Sequence, residues 1–508
     1  MATNKLLEEG TANNPSTNVT PSRALLPRQT PPSLWTPWLV ITGVSTTFGA
    51  SIACGYHIGV INSPGKFIKQ WCNETIFEIY DTAMSHDTLE ALWAFIVSIF
   101  LVGGAVGSLS GAWVSNKLGR KKAFFGCSVL YILGGLCFQL CRSFSSVELL
   151  VAGRLAVGLA SGLTTSTIPM YLSEIAPMEL RGTFGVLASM GITGGVVVGQ
   201  VFSLTEIFGT DDLWQFALSC YTVIVIICLL PYMWLPESPK YLYLVANNRT
   251  DAEQELMRLR SSDAHIKTEM DAMNPNNRAN ICEKRSLCSV VRDPKLLLPL
   301  VLVCALQGGQ QMSGINAVFY YSVQLFESIG LSQKKAQFAN LGAGCINLFV
   351  AFFSPVLMQK VNRRPLALLS ISMSAVFLFV LTLAIQFIDS VSWFAYACIA
   401  SVFLYIFFYQ LGLGPLPYFI AAELFEVGPR PVAMALGSLS SWLCNFLVGQ
   451  FFPILNSKWG AFVFLPFATT CVLLTLLVYF FLPETRNQDP STIAPKVSKG
   501  FKSKVMRD

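Results

Sequence analysis

The chain has 508 residues, room for roughly three or four soluble domains. Composition excludes that arrangement: 53% of residues are hydrophobic and 13% charged, with a mean hydropathy of +0.54, whereas a soluble chain carries about 25% charge. The net charge of +6 is spread over loops and the C-terminal tail, so the bilayer is the partner indicated and nucleic acid is not.

A membrane-crossing helix takes about 20 mostly apolar residues. Roughly thirty polar, Pro/Ser/Thr/Asn-rich residues open the chain, the wrong order for a cleaved signal peptide. Apolar stretches then fall near 35–61, 90–113, 123–141, 147–170, 183–203, 213–235, 295–322, 336–358, 365–387, 391–421, 431–453 and 460–482, giving twelve predicted spans. The 14 cysteines are scattered through these runs with no CxxC or metal-ligand spacing, and are expected to be small buried hydrophobes.

Lys117, Arg120, Lys121 and Lys122 follow span two, and Lys360, Arg363 and Arg364 follow span eight. The 236–294 connection and the tail beyond 482 are also basic, so both termini are expected in the cytosol. The 62–89 loop on the other side is acidic on balance and holds the N-x-T acceptor Asn73-Glu74-Thr75, the predicted glycosylation site. The tripeptides at Asn18 and Asn248 fall on the cytosolic side and should stay bare.

Polar motifs recur at nearly constant offset. Arg120 answers Arg363 and Arg364; Glu174 with Arg181 answers Glu423 with Arg430; Glu237 answers Glu484. The chain therefore divides into a tail (1–34), six spans (35–235), a linker (236–294), six more spans (295–483) and a second tail (484–508). Within the linker, 251–270 reads as a solvated helix. Charges at helix ends are also what topology alone leaves behind. Their register in the two halves argues for more, a cytosolic gate of Arg120, Glu174, Arg181, Glu237, Arg363, Arg364, Glu423, Arg430 and Glu484 that forms in one state and breaks in another.

From about residue 35 to 488 the sequence resembles the facilitative glucose transporters, sugar porters of the major facilitator superfamily. Gly153-Arg154-Leu155, Pro236-Glu237-Ser238-Pro239-Lys240, Gln310-Gln311-Met312-Ser313-Gly314-Ile315-Asn316, Gly414-Pro415-Leu416-Pro417, Gly428-Pro429-Arg430-Pro431 and Pro483-Glu484-Thr485 carry the likeness. It implies an all-α fold of twelve transmembrane helices in two pseudo-symmetric six-helix bundles, with a hexose bound between them.

A neutral sugar offers hydroxyls that both donate and accept, which amide side chains match. Span seven has Gln310, Gln311 and Asn316 among Gly308, Gly309, Ser313 and Gly314, a glycine density expected to break the helix. Span eight has Asn347. Span eleven sets Ser441 and Asn445 on one face beside Trp442. Span ten carries Gln410 and then Gly412, Gly414, Pro415, Pro417 and Tyr418. For any single amide the plainer reading is an interhelical hydrogen bond. The resemblance assigns Gln310, Gln311, Asn316, Asn347, Tyr418 and Asn445 to the sugar, and Tyr320 and Tyr321 to an outer gate. The sequence departs from the family pattern at Ser189 (usually Gln), Gln410 (Glu), Tyr418 (Trp) and Ser441 (Asn), and Gln359 stands where an acid is expected before Arg363. Glucose is the first choice of substrate; galactose, mannose and fructose stay open.

Three readings compete: a passive hexose uniporter, a proton-coupled symporter and a membrane sugar sensor. His57 stands where proton-coupled relatives carry Asp and passive ones Asn. The tail after 483 is short for a signalling domain. No phosphate loop, Ser/His/Asp set or metal cluster is present, so no enzyme and no cofactor or metal is expected. Nothing in the sequence indicates an oligomeric state.

Overall fold

Backbone amides in a bilayer must bond within their own segment, and all twelve predicted spans are helices in a computed structural model. It describes residues 34–61, 64–81, 84–204, 206–273, 286–328, 330–388, 393–498 and 500. The first six spans are Pro37–Gly59, Thr88–Leu118, Arg120–Ser143, Val147–Ile175, Met178–Phe202 and Trp214–Trp234. The last six are Pro294–Phe319, Phe338–Lys360, Arg363–Gln386, Phe394–Leu424, Arg430–Phe452 and Gly460–Phe481. The described residues include no strand.

Both halves begin alike, with a capping residue before proline. Thr36 Oγ1 accepts from Leu39 N (3.3 Å) ahead of Pro37, and Asp293 Oδ1 accepts from Lys295 N (3.0 Å) ahead of Pro294. Buried apolar residues sort into two large cores, one for each half, and a small third cluster in the linker. Met170 and Val186 cross to the second core and Trp442 to the first, so the halves also pack on each other. Spans one and five approach backbone to backbone. A Cβ at Gly55 would collide with the Ile192 carbonyl, and one at Gly195 with that of Ile52.

Two spans are broken. Span seven stops at Met312, turns through Ser313 and Gly314 (φ +86°), and resumes at Ile315. Gly314 alone supplies the left-handed step; Gly308 and Gly309 stay helical. Span ten stops at Leu411 and resumes at Leu416, across Gly412 to Pro415. Such breaks free carbonyls to face a cavity.

Two connections hold more structure than expected. The 62–89 loop contains a helix, Gly65–Tyr80, with Asn73 half-buried in it and Thr75 only 3% exposed. The solvated helix over 251–270 is instead two helices, Arg249–Leu259 and Asp263–Met273. Their apolar faces (Ala252, Leu256, Leu259; Ile266, Met270, Met273) are buried, as spacings of three and four dictate. A last helix, Pro490–Val497, buries Ile493 and Val497.

Candidate functional site

Between the halves lies a cavity of about 770 Å³, and all nine predicted binding residues line it: Ser189, Gln310, Gln311, Asn316, Asn347, Gln410, Tyr418, Trp442 and Asn445. The broken helices set its polarity. Gln310 Nε2 donates to the freed carbonyls of Leu413 (3.2 Å) and Gly414 (2.7 Å), and Ser189 Oγ reaches Gly414 O at 3.4 Å. Tyr405 ties down the other break, its hydroxyl donating to Ser313 O at 2.9 Å.

Beyond the break in span seven, Asn316 is the hub of an amide chain. Its Nδ2 donates to Gln311 Oε1 (2.6 Å) and Asn445 Oδ1 (2.9 Å), while Gln311 Nε2 donates to Ser441 Oγ (3.0 Å). Trp442 Nε1 donates to Thr165 Oγ1 (3.0 Å), which also meets Ser438 Oγ (2.7 Å), linking the two halves.

Four buried amide atoms at the cavity have no hydrogen-bond partner among the described residues: Gln307 Nε2, Gln310 Oε1, Asn347 Oδ1 and Gln410 Nε2. Leaving such a group unmade costs about 1–3 kcal/mol. Two donors and two acceptors held ready, with no charged side chain among the lining residues, suit a neutral ligand with several hydroxyls. Gln307 was not among the expected residues. It stands one turn before Gln311 (i, i+4), so the amide face of span seven runs further than the motif. The helix Ile315–Ser328 carries Tyr320 and Tyr321, whose side chains lie outside the described residues.

At the end where the linker sits, the repeat returns in atomic detail. Glu237 accepts from the amides of Arg120 (2.9 Å) and Lys121 (3.1 Å), and Glu484 from those of Arg363 (2.9 Å) and Arg364 (3.2 Å). Burial lifts the Glu237 carboxyl above the ordinary carboxylate range, against the pull of those amides and of Arg120. Arg120 holds Glu174 through two bonds (2.8 and 3.1 Å), and Arg363 holds Glu423 (3.1 Å). Ser238 Oγ donates to Glu174 (2.6 Å) and Thr485 Oγ1 to Glu423 (2.5 Å).

The ion pairs at this end are therefore wired differently from the Glu–Arg register. Glu237, Glu484 and Arg364 act within one half, Arg364 Nη2 donating to Tyr479 O. Arg430 reaches across the halves to Glu174 (3.4 Å) instead of to Glu423. Arg181, its counterpart, has no ion pair among the described residues. The reason is geometric: Glu423 is already closed in by Arg363 and Thr485.

The family model described as "Sugar (and other) transporter" matches residues 43–495. "Solute carrier family 2, facilitated glucose transporter member 3" of Ovis aries is 36% identical over 449 residues, covering 88% of this chain and 90% of the relative. Member 1 of that family from Gallus gallus is 35% identical over 451 residues, with 89% and 91% covered. Among solved structures, the proton:xylose symporter XylE of E. coli, bound to 6-bromo-6-deoxy-D-glucose, superposes with a TM-score of 0.77 at 21% identity, over 90% of this chain and 98% of that one. That likeness supports the fold: twelve helices in two six-helix bundles.

Proposed function

This chain belongs to the sugar transporter family, and from that premise we propose that it is a facilitative hexose carrier of the plasma membrane, working by alternating access. The family is one of transporters. The observation that carries the reading is the cavity wall, where uncharged amides with unused donors and acceptors gather between the bundles. D-Glucose is the first substrate because the relatives are named for it. We place the linker and both termini in the cytosol on the excess of Lys and Arg there.

The sugar's hydroxyls take up the free atoms of Gln307, Gln310, Asn347 and Gln410, and Tyr418 and Trp442 face the apolar side of the ring. The inner gate crosses between the halves through one described ion pair, Arg430 with Glu174, and a hydrogen bond from Thr183 Oγ1 to Pro355 O (3.3 Å). Glu174 keeps its two short bonds to Arg120 and one to Ser238 when the halves part, and only the 3.4 Å bond to Arg430 is lost. A hydrogen bond between charged groups is worth about 1.5–3 kcal/mol, which thermal motion and substrate binding can offset. Arg120, Glu174, Glu237, Arg363, Arg364, Glu423 and Glu484 thus brace each half, and Arg430 is the moving member.

His57 bears on the proton-coupled reading. It is fully buried, neither ring nitrogen has a hydrogen-bond partner among the described residues, and the rings of Tyr221 (4.3 Å), Phe138 (5.5 Å) and Phe100 (6.3 Å) surround it. The guanidinium of Arg154 comes to its carbonyl oxygen at 3.4 Å. A proton on the imidazole would place a second cation beside Arg154 in an apolar pocket, an expensive arrangement. This favours a neutral His57 and passive transport.

Purified protein in liposomes should show saturable uptake of labelled D-glucose, competed by unlabelled hexoses and not by L-glucose. Uptake equal to that of protein-free liposomes overturns the reading. Within the same assay Ser189→Gln should narrow the competing panel toward glucose, because the added amide demands a matching hydroxyl opposite Gly414. A panel unchanged from wild type means that position 189 makes no contact with the sugar.

A further inference from the structure

A second cavity, of about 860 Å³, lies at the linker end and is lined by Arg181, Lys240 and Arg430. We propose that it binds a small amphipathic anion, a phosphate or carboxylate group on an apolar body, that bridges the first half, the linker and the second half.

Arg181 is 9% exposed, yet its guanidinium has no hydrogen-bond or ion-pair partner among the described residues. Lys240, half-buried at the start of the linker, has none either. Buried cations in proteins are ordinarily paired. The repeat explains how this one came to be left over. Arg430, the counterpart of Arg181, has Glu174, but Glu423 is closed in by Arg363 and Thr485.

Three acids line the cavity as well, and Asp489 acts on Arg430, but no described ion pair joins any of them to Arg181 or Lys240. Glu269 holds Arg260 through both oxygens (2.6 and 3.0 Å), and Asp489 caps Pro490–Val497 by accepting from Ser491 N (3.1 Å); Glu426 also lines the cavity. Burial and then the Arg181 and Arg430 guanidinium groups hold Lys240 well below the ordinary lysine range, ahead of the opposing pull of Glu269 and Glu174. An arginine fork beside a lysine suits a phosphate or carboxylate. Much of the remaining wall is apolar, including Met178, Leu244 and Met273, which gives the anion its non-polar part. Because the three cations come from three parts of the chain, an anion among them favours the state in which this end is closed.

The test is a titration with hexyl phosphate of the full chain in phosphatidylcholine nanodiscs, read by calorimetry and by thermal unfolding. No sugar is present, so the result is independent of the transport reading. Wild type should bind with a Kd of about 0.1–1 mM, at least tenfold tighter than inorganic phosphate. Arg181→Gln and Lys240→Gln should each weaken binding about tenfold or more. Met273→Trp, which fills the apolar wall and removes no charge, should do the same and guards against a folding defect in the charge variants. In nanodiscs containing phosphatidic acid, loss of hexyl phosphate binding identifies a lipid headgroup as the natural occupant, and unchanged binding identifies a soluble anion. The proposal is overturned if wild type shows no binding up to about 10 mM, or if all three variants bind as wild type does. Equal affinity for inorganic phosphate overturns the amphipathic assignment.

Discussion

Glu174→Gln is expected to open the inner gate and to destabilise the protein in one stroke. The carboxylate is fully buried and, among the described residues, is the one anion ion-paired with both Arg120 and Arg430, one from each half. Removing its charge leaves two guanidinium groups short of a counter-ion, and breaking a buried pair in this way costs about 3–5 kcal/mol. Glu423→Gln is the internal comparison. It disturbs Arg363 within the second half but touches no described ion pair between halves. Both variants should lower the unfolding temperature. Only Glu174→Gln should raise maleimide labelling of a cysteine placed at Val427, beside Arg430 at the linker-end cavity. Equal labelling in the two variants would remove Glu174 from the gate and leave it a brace.

Asn316→Ala should be the most damaging change in the sugar cavity. One side-chain amide feeds two acceptors, Gln311 Oε1 and Asn445 Oδ1, on two different spans. Its loss strands both and unseats the Gln311 and Asn445 amides at the cavity wall that the sugar meets; at about 1–1.5 kcal/mol for each, the apparent affinity should fall roughly 30- to 150-fold. Gln310→Ala should behave differently. Gln310 Nε2 holds the broken stretch of span ten, so its removal should lower thermal stability as well as uptake. The measurements are glucose concentration dependence in liposomes and an unfolding curve for each variant. Unchanged affinity in Asn316→Ala would reject the amide chain as the binding surface.

Much of this was legible before any coordinates. Span positions follow from the bilayer's demand for long apolar runs. Amides and glycines together in span seven mark a broken helix, and the turn at Gly314 bears this out. The wiring of the gate was not legible. The seven-residue register of Glu with Arg picks out Glu174, Glu423 and Arg430, which are ion-paired, but the partner of Arg430 depends on which carboxylate is already enclosed, a matter of three-dimensional packing. Gln307 escaped because a single glutamine outside the motif looks like any interhelical bond. Only its unpartnered Nε2 beside the cavity sets it apart. The helix over Gly65–Tyr80 was hidden for another reason: charge marks the side of the membrane and says nothing about local structure.

The central claim is passive transport of a hexose through the cavity, and it is tested most directly by the final level of uptake. Labelled glucose is placed at equal concentration inside and outside the liposomes, and an inward proton gradient is imposed. The account predicts that the internal concentration stays equal to the external one, in wild type and in His57→Asn alike. Accumulation above the external concentration in wild type would contradict it, and its disappearance in His57→Asn would make the buried imidazole the proton carrier.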